Sequence, residues 1–389
     1  MNNKTISLST TMSFSGDSLK KARVFKGLTL SELANEINVS PQVISKYEKN
    51  YSIPSFEVLQ RISKELNFPV QYFYNIREVS EDSDGFFRKG STVSKKNKSK
   101  VIELASYANE ILDVIEQQVF LPKYRDPVDI KRTVKYSPID NDYIENIAIR
   151  IRNKFNFSDG PLINLTSFLE TLGIVVIFAD MSSEKIDAYT IYHHKRPMII
   201  INSRRTSSSR IRFNLAHEFA HILLHRDYDK KYENGGKFIT IEDEANYFAG
   251  CFLLPEQGLL QDLSSVNLQH FIALKSHWRV SIAAIVTRAN QCGFISDSHT
   301  LHLRQQISRN KWRIKEPLDD EIPIEMPVIL EQAIEIYSQK VQAPALEYIG
   351  KKLGFYPEFI SNTLFGHTLH EVEKPLEAAS NLKLITKKA

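Results

Sequence analysis

Two histidines and a glutamate in the middle of the chain have the types and the spacing that suit hydrolytic metal chemistry. His217, Glu218 and His221 form His-Glu-x-x-His within an apolar run, residues 213–225, that predicts a helix. Histidines at positions i and i+4 share one helix face, so their imidazoles can converge on one metal ion. Glu218 lies about 100° further round the helix, where it suits the general base of a zinc hydrolase.

Because His-Glu-x-x-His is a loose pattern, its interpretation depends on a third metal ligand elsewhere in the chain. A second helical stretch, residues 239–255, carries Glu242 and Glu244 on opposite flanks of its apolar stripe, about 75° and about 85° from the centre. Asn246 lies one turn beyond Glu242, where its side chain can orient a ligand histidine. We predict Glu242 as the third ligand, with Glu244 as the alternative.

Three short apolar stretches precede the motif and predict the strands that support its helix. They are residues 174–178, 188–192 and 198–202. If the third strand lies at the sheet edge, it can hold an extended peptide substrate by strand addition. His193 and His194 fall at the turn between the second and third strands, where we interpret them as surface residues. The candidates for stabilising an oxyanion are Tyr189, Tyr192 and His193.

Four segments around the motif match one known family of peptidases. They are Ile199–Asn202, Arg212–His225, Glu242-x-x-Ala-Asn246 and Phe248–Pro255. With them, residues about 140–255 resemble the ImmA/IrrE family of zinc metallopeptidases. The resemblance implies a zincin-like, gluzincin-type domain in which His217, His221 and Glu242 bind Zn²⁺ and Glu218 is the catalytic general base. Asn246 then orients a ligand histidine from outside the coordination sphere of the metal. His225 is expected to cap or pack the helix end.

The first part of the chain predicts a series of short helices. Helical apolar patterns cover residues 17–26, 30–37, 41–49 and 55–66. Gly27 ends the first pattern, and Ser40 followed by Pro41 starts the third. Two short helices joined by a tight turn and packed by flanking helices describe a helix-turn-helix.

This stretch resembles the XRE family of lambda-repressor-like helix-turn-helix proteins. The matching segments are Leu19–Arg23, Leu28–Ala34, Val39-Ser40, Ile44–Glu48 and Ile53-Pro54. The resemblance implies that residues 41–49 enter the major groove of a double-stranded DNA operator, and such modules usually bind as homodimers. The side chains expected to face the DNA are Gln42, Ser45, Lys46 and Lys49. Leu30 replaces the family's usual glutamine at a DNA-contacting position, so we expect a weaker or differently specified affinity.

Changes in composition divide the chain into four regions. The predicted regions are 17–75 (helix-turn-helix), 76–138 (linker and a long helix from Ser99 to Val119), 139–260 (peptidase) and 261–389 (helical C-terminal region). Within the last region, residues 280–288 are expected to serve packing and substrate binding. The predicted fold class is α+β multidomain, with an all-α helix-turn-helix domain before a zincin-like domain that has a small sheet and a helical C-terminal part.

Composition excludes several classes of protein. A hydrophobic fraction of 42% and a charged fraction of 25% are typical of a soluble globular protein. We find neither an apolar run of membrane-spanning length nor a signal-peptide pattern. Two cysteines cannot form a disulfide framework, and a net charge of +4 is too small to argue for nucleic-acid binding by itself. We expect a cytoplasmic protein with no membrane partner.

The two resemblances together predict a transcriptional regulator with a zinc-dependent endopeptidase domain. Its protein substrate is expected to be one specific partner, such as a repressor or an antitoxin-like protein. The alternative is a DNA-binding regulator or antitoxin whose peptidase fold senses a ligand or partner without proteolysis. The complete set of His217, Glu218, His221 and Glu242 favours the enzyme.

Overall fold

The computed structural model describes residues 13–74, 95–181, 186–204, 207–228 and 237–366 of the chain. Its first part is entirely helical and ends in a 3-10 turn at Val70–Tyr74. The helices of this part are α1 (Gly16–Lys26), α2 (Leu30–Glu36), α3 (Pro41–Glu48) and α4 (Phe56–Leu66). The start of the predicted linker, residues 76–94, lies outside the described residues.

Capping residues fix the ends of these first helices. The Ser15 hydroxyl accepts a hydrogen bond from the Ser18 N–H at the start of α1, and Gly27 ends α1 in the left-handed conformation with φ 68°. Thr29 and Glu32 form a reciprocal capping box at the start of α2. As a result, α2 and α3 are short helices connected by residues 37–40, as the helix-turn-helix prediction requires.

A long helix, α5 (Lys95–Glu116), packs against the helix-turn-helix. The Tyr107 and Tyr72 hydroxyls hydrogen-bond at 2.8 Å, and the Lys21 ammonium donates to the Ser106 hydroxyl at 3.2 Å. The apolar pattern from Ser99 to Val119 predicted this helix with bounds that differ by a few residues at each end.

In the described part of the chain, three strands form one sheet in the order β1-β3-β2. The strands are β1 (Val175–Ala179), β2 (Ala188–His193) and β3 (Arg196–Asn202). β3 pairs with β1 in parallel and with β2 as an antiparallel hairpin. The condition for substrate binding along residues 198–202, that this strand lies at the sheet edge, is therefore not met. The almost continuous burial of β3 is typical of a strand that is paired on both sides, whereas β2 lies at an edge.

Both faces of this sheet are covered by apolar cores. Val175 and Ile177 of β1 face a first core, while Val176 and Phe178 face a second core. This alternation follows from the two-residue period of a strand. The first core continues through α5 into the helix-turn-helix, and the second contains the His-Glu-x-x-His helix.

Helices from both sides of the motif enclose the second core. They are α6 (Asn141–Lys154), α7 (Leu165–Thr171), α8 (Ser208–Ala220), α9 (Lys237–Leu253), α10 (Glu256–Asp262), α11 (Leu268–Trp278), α12 (Ile282–Gln291) and α13 (Asp297–Arg309). α8 continues directly into a π-helical turn at His221–His225. Since α8 and α9 pack side by side, the two segments with the predicted metal ligands are neighbours.

The C-terminal helices close the first core. They are α14 (Ile329–Val341), α15 (Ala345–Leu353) and α16 (Pro357–Phe365). Phe355 and Phe359 join an aromatic cluster with Phe68 and Tyr72 of the helix-turn-helix and Tyr107 of α5. This part of the chain therefore connects the helix-turn-helix to the sheet. Among the described helices, none has the length and the apolar run that crossing a membrane requires.

Candidate metal centre

Three side chains with metal-binding atoms converge between α8 and α9. His217 Nε2 lies 3.1 Å from His221 Nε2 and 3.4 Å from a carboxylate oxygen of Glu242, and His221 Nε2 lies 3.6 Å from the other oxygen. Atoms bound to one tetrahedral ion at zinc distances are about 3.3 Å apart. Two imidazole nitrogens and one carboxylate at this spacing fit a divalent transition metal.

Asn246 orients the first histidine. Its side-chain oxygen lies 2.9 Å from His217 Nδ1, so the imidazole donates a hydrogen bond from Nδ1. The other ring nitrogen, Nε2, then keeps its lone pair and faces His221 and Glu242. The structure thus places Asn246 where the sequence pattern expected it.

A chain of two further side chains orients the second histidine. His221 Nδ1 lies 2.9 Å from His225 Nδ1, and His225 Nε2 lies 2.9 Å from a Glu244 oxygen. Burial lowers the pKa of His225 to about 3, so its ring is neutral. His225 then donates from Nε2 and accepts at Nδ1, and His221 keeps the lone pair on Nε2.

Glu244 contacts this chain rather than the metal-binding atoms. Its other oxygen accepts hydrogen bonds from the Tyr136 hydroxyl and the Ile139 N–H, both at 2.8 Å. Glu242 is the carboxylate that lies beside His217 and His221. His225 is buried at the helix end, as expected of a packing residue, but its contacts with His221 and Glu244 were not predicted.

Glu218 is held by strand β2, through a contact that the sequence pattern did not predict. The Thr190 hydroxyl of β2 donates a hydrogen bond to Glu218 Oε2. Burial raises the pKa of Glu218, and the hydrogen bond from Thr190 offsets this only in part. The available signal was Thr190 itself, a polar residue within an apolar strand pattern, since a buried hydroxyl needs a partner.

The metal-binding cluster opens into a cavity of about 640 Å³. The predicted site residues that line it are His217, Glu218, His221, Glu242 and Asn246. Tyr189 of β2 and Thr287 of α12 lie on its walls, as do residues 312–314. His193 is buried on the other face of the sheet, beside Asp113 of α5, so its assignment as a surface turn residue is wrong.

The predicted DNA-facing residues lie on the outer face of α3. Gln42, Lys46 and Lys49 are exposed, and Ser45 is half-buried. The opposite face of the helix is buried in the first core. Leu30, at the start of α2, is half-buried and packs against the same core. The α3 surface is therefore open to solvent in this chain.

Comparison with characterised proteins gives short or remote matches. The chain is 38% identical over 56 residues to Endothelial differentiation-related factor 1 of Rattus norvegicus and to that of Homo sapiens. Each match spans 14% of this chain and 38% of the relative, so the relatives are covered over little more than a third of their length.

Two solved structures align along most of the chain but with low similarity. One is Bacillus thuringiensis PlcR in complex with the peptide PapR7 and DNA, at 14% identity, a TM-score of 0.17 and 90% of each chain. The other is ComR from S. thermophilus in complex with DNA and its signalling peptide ComS, at 13% identity, a TM-score of 0.18 and 87% and 98% of the chains. TM-scores of this size do not establish a common fold.

Family models match both functional parts of the sequence. The helix-turn-helix model covers residues 19–73, and the IrrE N-terminal-like model, Peptidase_M78, covers residues 169–290. The second match contains β1 to β3, α8, α9 and the whole His217, His221 and Glu242 cluster. The chain is therefore a fusion of an N-terminal helix-turn-helix domain of the XRE type with an IrrE N-terminal-like domain of the peptidase M78 family.

Proposed function

We propose that this protein is a DNA-binding regulator whose second domain is a zinc-dependent, gluzincin-type endopeptidase. Its substrate would be one specific protein, such as a repressor or an antitoxin-like partner. The observation that carries the proposal is the convergence of His217, His221 and Glu242 beside Glu218 in an open cavity. A family match to peptidase M78 supports it, because the match contains all four residues.

His217, His221 and Glu242 would bind the Zn²⁺ ion. When bound, zinc supplies a Lewis acid that polarises a peptide carbonyl and makes a water molecule more acidic. Glu218 takes a proton from the attacking water and returns it to the leaving amine. Thr190 holds one Glu218 oxygen in place, and burial raises the pKa of this carboxyl towards the range that suits a general base.

The substrate would bind along β2 rather than β3. β2 lies at the edge of the sheet, and its residues Ala188 and Tyr189 line the cavity. An extended peptide can add to the backbone groups of such an edge. A peptide bound in this way would lie beside Thr190 and Glu218, with its scissile carbonyl near the metal-binding residues.

The helix-turn-helix would bring this activity to an operator, as a homodimer. Its recognition surface is Gln42, Ser45, Lys46 and Lys49 on the exposed face of α3. Replacing Lys46 by alanine should reduce the slope of log K against log salt by about 1 on double-stranded DNA. Lys351→Ala, an exposed lysine on α15, is the control; equal slopes for both variants would argue against this surface.

Metal analysis of the purified full chain tests the first part of the proposal. We expect one Zn²⁺ per chain to be lost in His217→Ala and kept in Glu218→Gln, because the glutamate is not a ligand. His302→Ala removes an exposed histidine of α13 and serves as the control. Zinc that is unaffected by His217→Ala would refute the assignment of this cluster.

Cleavage is tested by labelling new protein N-termini in host cells that express each variant. Wild-type protein should generate one dominant new N-terminus, in a regulatory protein, that is absent with Glu218→Gln. If zinc binds but no N-terminus depends on Glu218, the domain is a non-proteolytic sensing module. That outcome would be compatible with the proposed metal site but would refute the proposed endopeptidase activity.

A further inference from the structure

A second cluster of metal-binding side chains lies outside the cavity. It joins Asp113 of α5 to His193 and His194 at the end of the β2–β3 hairpin. Asp113 Oδ1 lies 3.3 Å from His193 Nε2 and 2.9 Å from His194 Nε2. Two imidazole nitrogens and a carboxylate oxygen at such distances form the kind of donor set that the first centre has.

His193 is the unusual member of this cluster because it is almost fully buried. Only 3% of the residue is exposed, and its Nε2 atom has no hydrogen-bond partner among the described residues. Its 3.3 Å contact with Asp113 Oδ1 is longer than a normal hydrogen bond between a charged pair. A buried ring nitrogen thus lies beside a carboxylate oxygen at a separation that suits two ligand atoms of one metal ion.

The hairpin turn adopts a conformation that brings the two rings together. His194 and Lys195 both have positive φ, 45° and 69°, as in a type I′ turn, where asparagine and glycine are the usual residues. In a regular strand, two consecutive side chains point to opposite faces. Here the ring centroids of His193 and His194 are 4.4 Å apart. The strained turn therefore places both imidazoles on the side of Asp113.

We propose that Asp113, His193 and His194 bind a second divalent transition-metal ion, with a water as the remaining ligand. Asp113 Oδ1 lies 3.3 Å and 2.9 Å from the two imidazole nitrogens, close to the separation of about 3.3 Å between two ligand atoms of one tetrahedral ion. The ion would clamp the C-terminal part of α5 to the hairpin, next to the ion pair of Arg196 with Glu116.

Such a clamp would join the two functional halves of the molecule. α5 contacts the helix-turn-helix through Lys21, which bonds to Ser106 and Glu110. β2, which ends at His193, also carries Thr190, the hydrogen-bond donor to Glu218. The second ion therefore fixes the strand that holds Glu218 against the helix that supports the DNA-binding surface.

Zinc titration in a chain without the first centre tests the proposal. The background variant is His217→Ala with His221→Ala, and the probes are Zn²⁺ by elemental analysis and Co²⁺ by its visible absorption. We expect one equivalent of metal in this background and at least a 100-fold loss of affinity after adding Asp113→Asn and His194→Gly. Glycine suits the positive φ of the turn, so this substitution removes a ligand without straining the hairpin.

A matched control removes another histidine pair. His299 and His302 on α13 have rings 6.4 Å apart, and alanine at both positions should leave the metal stoichiometry unchanged. In the otherwise wild-type chain, His194→Gly should lower the zinc content by one equivalent, which covers the case in which the background variant does not fold. Metal binding that survives Asp113→Asn with His194→Gly would overturn the proposal, as would a background variant that folds but binds no metal.

Discussion

The hydrogen bonds behind His221 determine which of its ring nitrogens faces the metal-binding cluster. Glu244 accepts from His225, and His225 in turn accepts from His221, so each link depends on the one before it. A carboxylate at position 244 therefore sets the tautomer of a proposed ligand through an intervening ring. This makes Glu244 a positioning residue although it does not touch the metal site.

Glu244→Gln should reverse this tautomer chain. The glutamine amide would donate to His225 Nε2, and His221 would then carry its proton on Nε2, where a metal ligand needs a lone pair. We expect zinc affinity to fall about 10- to 100-fold, measured by competition with a chromophoric chelator. Asp243→Asn makes the same chemical change at an exposed position of α9 and should have no effect. Equal affinities of the two variants would rule out the relay.

At the scale of single residues, the sequence predicts local contacts better than distant ones. Helical periodicity was enough to pair His217 with His221 and to place Asn246 near Glu242. The role of Glu244 could not be read in this way, because its partner Tyr136 lies 108 residues away. The contacts of His225 with His221 and Glu244 were not predicted; the turn from His221 to His225 is π-helical, whereas the 3.6-residue period assumes an α-helix.

At the scale of elements, a buried ion pair holds α8 to the start of α7. The Arg212 guanidinium pairs with Glu325, whose other oxygen accepts from the Leu165 and Thr166 N–H groups. Arg212 is 1% exposed, so Glu325→Gln would leave a buried charge without its counterion. The free energy of unfolding should fall by about 3–5 kcal/mol in urea denaturation. Glu321→Gln, an exposed neighbour, is the control; a similar small effect for both would contradict this view.

A second buried carboxylate makes the contact between α7 and α14 dependent on pH. Burial raises the pKa of Glu170 to about 7, although the N–H groups of Val328 and Ile329 oppose this. The folded protein binds the proton of Glu170 more tightly than the unfolded chain does. The contribution of Glu170 to the free energy of unfolding is therefore complete below its ordinary pKa of 4.5 and is lost as pH rises through about 7.

Glu170→Gln should therefore remove part of the pH dependence of stability. Relative to the variant, the wild-type free energy of unfolding should fall by about 3 kcal/mol between pH 4.5 and pH 8, measured by urea denaturation. The exposed Glu347→Gln on α15 should follow the wild type across this range. A constant difference between wild type and Glu170→Gln would show that burial does not raise this pKa.

The order of the strands illustrates what an element-level pattern leaves open. Alternation and β-branched residues located the strands, but the position of β3 in the sheet depends on pairing partners that a one-dimensional pattern does not give. The nearly uninterrupted apolar run of β3 was the available clue, since such runs are typical of strands that are buried on both faces.

For the whole molecule, the central fact is that one sheet separates two apolar cores. The candidate metal-binding cluster lies on helices of the second core, and the helix-turn-helix belongs to the first. The packing of α14 to α16 against α5 could not be predicted from the sequence pattern, because it joins segments that are more than 200 residues apart. The helices α14 to α16 thus have a structural role in the first core.

The aromatic cluster that joins the helix-turn-helix, α5 and Phe355 offers a test of whether the two apolar cores unfold separately. Phe355 is 3% exposed and stacks on Tyr72 at 5.8 Å, so Phe355→Ala should cost the first core about 3–5 kcal/mol. Both tryptophans, Trp278 and Trp312, lie in or against the second core and report on it by fluorescence, whereas far-ultraviolet circular dichroism reports on all helices. In urea, the dichroism transition of Phe355→Ala should begin before the fluorescence transition. The exposed neighbour Tyr356→Ala should keep the two transitions as they are in the wild type; a Phe355→Ala chain that behaves in the same way would show that the cluster does not stabilise the first core.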